Sequence, residues 1–208
     1  AYVMDWYNVD LTQNIKSVDW LKEILQNGFS QEYDISAQGG NENLRYYISG
    51  GYFQNTGIVI GTGMKRYSGR ISLDGKSGRI GYGLSVNGPL SDINNTMTES
   101  QYTNPIVAVY DIRPFEQVRN EDGTYNTNVN YNPVAINDKE KGDKRNQKQI
   151  TLVVNPYFTY NIIDGLTWKT NAGLSLIDLD EFFYSSIYNP QYSGSGMLGQ
   201  RNQERATT

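Results

Sequence analysis

The chain of 208 residues contains no cysteine and no histidine. It therefore cannot form disulfides, thiolate- or imidazole-ligated metal sites, or the histidine-dependent nucleophilic sites of hydrolases. With 18 lysines and arginines against 22 acidic residues, it has no basic excess for binding nucleic acid. No run of about 18 apolar residues occurs, which excludes a transmembrane helix. Residues 1–6 lack the features of a signal peptide, as expected of a mature chain or of a piece cut from a longer one.

Glycine and tyrosine are abundant instead, with 21 and 17 residues. Together with many Asn, Ser and Thr residues, they indicate β-structure with many turns. Residues 18–25 carry the only convincing helical pattern, in which Trp20 and Ile24 fall on one apolar stripe. Asp19 and Gly28 suit the two ends of this helix, which we interpret as a short connector.

From Gln31 onward, apolar and polar residues alternate with a period of two, which predicts β-strands. Six strands are predicted, within residues 33–38, 44–53, 67–74, 80–87, 150–162 and 166–176. Their apolar phase contains no charged residue, whereas the opposite phase carries Asp34, Arg45, Arg70, Asp74 and Lys169. A charge-free face contacts either a protein core or lipid, and alternation alone does not separate the two.

The connections between these strands are sorted by length. Tight turns join alternate pairs of strands at 39–43, 75–78 and 163–165, and the other connections are long, at 54–65, 88–148 and 179–208. If neighbouring strands are antiparallel, all short turns lie at one end, as in outer-membrane barrels with short periplasmic turns. We therefore divide the chain into a connector with a short helix (1–30), six barrel strands with the long loop (31–178), and the start of a further outer loop (179–208).

Tyrosine and tryptophan cluster near the predicted strand ends. A ring with a polar tip suits the boundary between lipid and water, although tyrosine is also simply a good strand former. The residues concerned are Tyr33, Tyr46, Tyr52, Tyr67, Tyr82, Tyr160 and Trp168. Together with the sorted loops, their placement favours two interfacial girdles.

Several short motifs follow one another in a recognisable order. They are DWLKEI at 19–24, SQEYDISAQGG at 30–40, YYISGGY at 46–52, GIV at 57–59, KRYSGR at 65–70, NP at 132–133 and YNIIDGLTWKTN at 160–171. The series resembles the barrel of SusC/RagA-type TonB-dependent transporters of the Bacteroidetes outer membrane, which typically begins DW…EIF…QNYNLSVSGG and continues YYVSLGYLDQEGIV…FKRYSLR. The resemblance covers roughly residues 18–178, and the ordered series is more specific than any one motif.

The resemblance implies an all-β fold of antiparallel up-and-down hairpins, part of an outer-membrane β-barrel wall with long outer loops. It implies glycan or peptide uptake energised by the TonB complex, beneath a SusD-like surface lipoprotein, with no cofactor and no nucleic acid partner. Family members are several times longer, and their plug and TonB box do not occur in these residues. We therefore expect a fragment with the first strands of the barrel, located in the cell outer membrane and in contact with its lipid.

The long loop supplies the candidate ligand contacts. Aromatic side chains beside amides can stack on sugars, although they can equally pack the loop onto its neighbours. In the same loop, residues 120–124 are predicted to form a β-turn, and the mixed charges of 138–145 indicate a hydrated loop tip or a contact with the lipoprotein. The candidates for ligand binding are Tyr102, Tyr110, Tyr125 and Tyr131.

No catalytic or metal site is predicted, and we do not expect an enzyme. The chain has no nucleophile–base pair, and the glycine-rich residues 61–65 lie between strands without the helix that a phosphate-binding loop requires. The carboxylates of Asp178, Asp180 and Glu181 lack the spacing of a calcium loop, so we predict that they lie in a solvated loop.

Two other functions stay open at this stage. A soluble β-sandwich that binds carbohydrate or a surface partner explains the alternation equally well, but it does not explain the one-sided loop lengths. A passive adhesin or porin-like wall differs from the transporter only in lacking energised import. The interpretation as a transporter wall requires that the charge-free face contacts acyl chains, with no second layer of the chain above Leu84, Val154 or Leu174.

Overall fold

A computed structural model describes residues 16–96, 104–129, 131–191 and 198–208. Within these ranges the chain forms three short helices, α1 (Trp20–Ile24), α2 (Pro105–Asp111) and α3 (Pro133–Ile136). None of the helices in these ranges is long and apolar enough to cross a bilayer. Strands dominate the rest: β1 (Phe29–Gly40), β2 (Leu44–Thr56), β3 (Gly63–Ser77), β4 (Ile80–Asn87), β5 (Leu90–Asn95), β6 (Lys144–Ile163), β7 (Leu166–Asn171), β8 (Leu174–Ser185) and β9 (Leu198–Thr207).

All nine strands form one antiparallel sheet in the order β1-β2-β3-β4-β6-β8-β9. β5 follows β4 in the same place between β3 and β6, and it pairs with both. β7 and β8 likewise pair one after the other with β6. The break between β4 and β5 lies at Gly88 and Pro89, because proline has no N–H to donate. Hydrogen bonding continues across it, since the Thr151 N–H donates to the Pro89 carbonyl at 3.0 Å. The nine segments therefore run as seven long strands.

The six predicted strands are present, but the structure adds strand where the sequence predicted loop. β5 lies within the predicted loop 88–148, and β9 together with the end of β8 lies within 179–208. These additions carry many charged and amide side chains, such as Asp92, Arg201 and Arg205, so they lack the apolar alternation that marks the other strands. Alternation detects a strand only where one of its faces is apolar.

The prediction of sorted connections is confirmed. The strands turn tightly at 41–43, 78–79 and 164–165. The strand ends that flank the longer connections, 57–62, 96–143 and 186–197, lie at the opposite end of the sheet. β1 runs from the long-loop end towards the first short turn. The helix α1, which directly precedes β1, therefore lies beside the long loops.

The buried hydrophobic side chains are found outside the sheet, at the long-loop end. α1 and the segments 57–62, 104–142 and 186–191 pack there into what we call the loop cap, in which the Val18 N–H donates to the Pro114 carbonyl at 2.6 Å. In the sheet, each strand contacts only the strands beside it. The buried hydrophobic residues are Trp20, Ile24, Val59, Ala108, Tyr125, Val129, Tyr131, Ala135 and Ile136.

No second layer covers the sheet within the part of the chain that the structure describes. Leu84 and Val154 are only partly buried by their neighbours, and Leu174 is 43% exposed. A β-sandwich would place these side chains between two sheets, where they would be shielded from solvent. The structure therefore does not favour the soluble sandwich.

Candidate functional site: two faces of the sheet and a loop cap

Cross-strand partners share a face of the sheet, so the strand register assembles the apolar phase into continuous rows. These rows form one uncovered surface, which we call the apolar band, and soluble monomers rarely expose a contiguous apolar surface of this kind. Ile48, for example, is 48% exposed. One complete row consists of Ala37, Ile48, Ile71, Val86, Val154 and Leu174.

Tyrosines form the upper boundary of the apolar band, on the long-loop side. Tyr33, Tyr52 and Tyr67 are cross-strand partners, and the ring centroids of Tyr52 and Tyr67 are 5.1 Å apart. The Tyr52 hydroxyl donates to Gln54 Oε1 at 2.6 Å, one row nearer the long loops. The rings thus face the band while a hydroxyl reaches the polar row above, as expected of an interfacial girdle. That row consists of Gln31, Gln54, Lys65, Asp92, Lys148 and Asp180.

A second set of aromatic side chains bounds the band near the short turns. It includes Tyr82 on β4 and Trp168 on β7, whose ring lies 6.1 Å from that of Phe158. A Cβ on Gly75 would lie 2.2 Å from the Tyr82 ring. The ring packs over Gly75 because glycine has no side chain there. Along β6 the band runs from Ile150 to Tyr160, about ten residues, which at ~45° tilt spans roughly 23 Å of membrane normal. This matches the apolar belt of about 25 Å on outer-membrane barrels.

The opposite phase forms an inward face with paired charges. The Arg66 guanidinium lies 5.2 Å from the centroid of the Phe53 ring and 3.6 Å from a carboxylate oxygen of Glu32. Arg70 lies 6.0 Å from the ring centroid of Tyr47. Charges stacked on rings and paired with carboxylates suit a polar surface that water reaches.

Nearer the short turns, the inward face carries a second polar group. The Tyr157 hydroxyl donates to Asp74 Oδ1 at 2.6 Å, and Lys169 Nζ lies 5.7 Å from the centroid of the same ring. The ring crosses the neighbouring strand at Gly83, where a Cβ would lie 2.0 Å from a ring atom. The sheet thus has one lipid-compatible face and one polar face.

The tyrosines predicted to bind ligand do not lie together in the loop cap. Tyr102 lies outside the described residues. Tyr110 is on α2 and is 82% exposed. Tyr125 and Tyr131 are buried in the cap, Tyr131 beside Ala108. The structure therefore does not bring the three described tyrosines to one surface, and their role in ligand binding stays a prediction.

The two buried tyrosines are held in different ways. The Tyr125 hydroxyl donates to Asp138 Oδ2 at 2.6 Å, and the Arg119 guanidinium lies 4.0 Å from the centroid of its ring. Burial and the Asp138 carboxylate raise the pKa of Tyr125. For Tyr131, burial and the charge of Asp143 raise the pKa strongly, and its hydroxyl has no hydrogen-bond partner within the described part of the chain. Both phenols therefore stay protonated at neutral pH.

The mixed charge run at 138–145 is anchored, where the sequence predicted a hydrated loop tip. Asp143 accepts from the Ser186 amide at 2.7 Å, from Ser186 Oγ at 2.8 Å and from Asn189 Nδ2 at 2.6 Å. Burial raises the pKa of Asp143 by more than these hydrogen bonds lower it. Asp138 also accepts the backbone amide of Lys141 at 2.8 Å. Asp143 thus connects the segment before β6 to the segment after β8, which no local sequence pattern indicates.

Two further predictions on acidic residues have different outcomes. The β-turn at 120–124 is confirmed, since the Gly123 N–H donates to the Asn120 carbonyl at 3.0 Å. The prediction of a solvated loop at Asp178, Asp180 and Glu181 is wrong, because all three lie in β8. Asp180 accepts from Arg201 of β9 at 2.9 Å and 2.6 Å, and Asp178 pairs with Arg205. Ion pairs between the two strands take the place of an apolar face.

The described residues contain no group of three or more acidic side chains close enough to hold a metal ion. One face suits lipid, the other suits water and polar solutes, and the cap packs the described long-loop segments together at one rim.

The chain is similar to curated proteins of the bacterium Formosa agariphila. TonB-dependent receptor P3 is 32% identical over 179 residues, which cover 81% of this chain and 18% of that protein. TonB-dependent receptor P26 is 34% identical over 109 residues, which cover 52% of this chain and 10% of that protein. No protein-family model matches the chain.

Solved structures show the same fold. The RagAB peptide importer in its closed-closed state matches with a TM-score of 0.72 at 19% identity, covering 92% of this chain and 22% of that one. The structure of the RagAB peptide transporter matches with a TM-score of 0.67 at 20% identity, covering 96% and 22%. The chain thus spans about a fifth of the length of these relatives. It is a segment of the barrel wall of a SusC/RagA-type TonB-dependent outer-membrane receptor, as its sequence motifs indicate.

Proposed function

We propose that the receptor to which this segment belongs imports glycans or peptides across the outer membrane, energised by the TonB complex and closed by a SusD-like lipoprotein. In this function the segment supplies wall strands and outer loops. The observation that carries the proposal is the uncovered apolar band, bounded by two aromatic girdles and backed by a polar inward face. A relative is named as a TonB-dependent receptor, and a similar fold is described as a peptide importer, which agrees with this role.

The uptake of labelled oligopeptides and oligosaccharides by cells with and without the full-length receptor tests this proposal. We expect receptor-dependent uptake of one of these classes, and loss of that uptake when a protonophore collapses the inner-membrane gradient. Uptake that persists without the gradient would show a passive, porin-like wall. Equal uptake by cells that lack the receptor would contradict import.

We further propose that Tyr110 contacts the imported solute or the lipoprotein. Of the predicted tyrosines that the structure describes, it is the one with an exposed ring, and it lies on the rim formed by the loop cap. Tyr110→Ala in the full-length receptor is expected to reduce uptake severalfold without changing receptor abundance. Ile58→Ala is the matched control, since Ile58 is 63% exposed on another loop of the same rim. Equal uptake by both variants would remove Tyr110 from the ligand contacts.

A further inference from the structure

A polar cleft of about 470 Å³ opens where the upper ends of β2, β3, β5 and β6 meet the loop cap. Gln54 and Lys65 line it and are cross-strand partners on the same phase as the apolar band. Both lie one row beyond the upper girdle, next to Tyr52 and Tyr67. The cleft therefore begins at the level where the headgroups of the outer leaflet meet the wall.

The cleft presents positive charge. Lys65, Lys139 and Lys144 line it with exposed side chains, and within the described ranges none of the three forms an ion pair. The cleft wall also includes Asp138 and Asp143, but the carboxylates of both already accept hydrogen bonds from Tyr125, Ser186 and Asn189. Together with Arg145, four cationic side chains line the cleft against these two acidic ones. An anionic occupant thus finds an excess of positive charge, and phosphate is a group that lysine binds well as a point charge.

The rest of the lining suits a sugar. Asn55, Asn94 and Asn95 contribute amide groups, which both donate and accept hydrogen bonds. Phe182 is 40% exposed at the edge of the cleft, and an aromatic ring can stack on the apolar face of a pyranose. Amides, one ring and several lysines together favour a phosphorylated saccharide over a purely apolar or cationic ligand.

We propose that this cleft binds the phosphorylated saccharide headgroup of an outer-leaflet glycolipid, whose acyl chains lie along the apolar band below. Asn55 and Asn95 lie on the inward phase, but most of the strand residues that line the cleft share the phase of the apolar band, including Gln54, Lys65, Asn94, Lys144 and Phe182. This continuity with the band favours a lipid over a free solute. The bound lipid fills the groove between the sheet and the loop cap. It thereby fixes the height of the wall in the membrane and steadies the rim of the barrel.

The experiment uses the full-length receptor in nanodiscs of neutral phosphatidylcholine, with bis-phosphorylated lipid A as the probe and native mass spectrometry as the readout. The variant Lys65→Gln/Lys139→Gln/Lys144→Gln is expected to bind lipid A at least about tenfold more weakly than the wild type. The matched control is Lys76→Gln, a lysine of β3 on the inward phase, which should bind like the wild type. Should the triple variant not assemble, Lys65→Gln alone is expected to lose about threefold.

Two results would overturn the proposal. The first is equal lipid A binding by the wild type and the cleft variants, or an equal loss in the Lys76→Gln control. The second is equally tight binding of a soluble bis-phosphorylated glucosamine disaccharide without acyl chains, which would assign the cleft to a free phosphosugar. Because the readout is lipid binding without uptake, a negative result here is distinguishable from a failure of the import proposal.

Discussion

At the scale of single residues, the loop cap depends on a buried carboxylate. Asp143 receives three hydrogen bonds from Ser186 and Asn189, yet burial dominates and raises its pKa above the ordinary value of 3.8. The folded cap therefore binds the Asp143 proton more tightly than the unfolded chain does. The stabilisation from this group is complete at pH below the unfolded pKa, and it is lost as the pH rises through the raised folded pKa.

The raised pKa of Asp143 leads to a prediction of how the stability of the loop cap depends on pH. Relative to Asp143→Asn, which cannot titrate, the opening free energy of the wild-type cap should fall as the pH rises from about 4 through the raised pKa. The measurement is hydrogen exchange of the Ser186 amide in the full-length receptor, corrected for intrinsic rates and compared between the two proteins. If the opening free energy of the wild type relative to Asp143→Asn stays constant or grows as the pH rises, burial does not raise the pKa of this carboxylate.

Glycine positions in the sheet give a second residue-scale prediction. A Cβ at Gly83 would overlap the Tyr157 ring, so Gly83→Ala should displace the ring and break its hydrogen bond to Asp74. The expected cost is about 1–3 kcal/mol of unfolding free energy, typical of overpacking. Gly69→Ala is the matched control, because a Cβ there meets nothing within 4 Å.

The comparison is made by denaturant unfolding of the refolded receptor in detergent or lipid. In a Tyr157→Ala background, Gly83→Ala should become nearly neutral, since the overlapping ring is gone. If Gly83→Ala lowers the unfolding free energy equally with and without the Tyr157 ring, the cost comes from the backbone at Gly83 and not from overlap with the ring.

At the scale of elements, the sequence predicts those strands that carry an apolar phase. β2, β3, β4 and β6 show it because lipid requires one apolar side chain at every second residue. The sequence does not indicate β5 and β9, because amide and charged side chains take most of their positions and neither strand has an apolar phase. The end of β8 was missed for the same reason.

The helices of the long loop were missed although the sequence marks them. Asn104-Pro105 and Asn132-Pro133 each place an asparagine at the N-cap and a proline in the first helical turn. The Asn104 side chain accepts from the Ile106 amide at 3.0 Å, and the Asn132 side chain accepts from the Ala135 amide at 3.1 Å. This combination is a strong helix-start signal. The contacts of Tyr125 and Tyr131 depend on how these helices pack, which a single sequence does not specify.

The two phases of β3 offer a direct element-scale prediction. Ile71 lies in the middle of the apolar band, and Ser72 is its neighbour on the inward phase. Ile71→Lys should destabilise the receptor by about 2–4 kcal/mol in lipid, since it places a charge near the bilayer midplane. Ser72→Lys should be tolerated. Unfolding of the two variants in the same vesicles checks this, and equal costs would remove the distinction between the faces.

At the scale of the whole molecule, the segment is an open sheet whose edge strands are β1 and β9. Within the described residues these edges do not pair with each other, and an open edge is not tolerated in hydrocarbon. We therefore expect the segment to function only when neighbouring strands of the receptor complete the barrel. The loop cap, in contrast, has its own buried core and keeps the long loops in place at the rim.

Spin-label accessibility along β3 is the most direct test of whether the charge-free phase contacts lipid. Single labels are placed at positions 63 to 75 of the full-length receptor in bilayers, and collisions with oxygen and with a polar nickel chelate are measured. If this phase contacts lipid, labels at 69, 71 and 73 show high oxygen and low nickel accessibility with a period of two. At 65, beyond the Tyr67 girdle, nickel accessibility becomes high. Shielding of 69, 71 and 73 from both reagents would show a second protein layer over this face and would contradict the account.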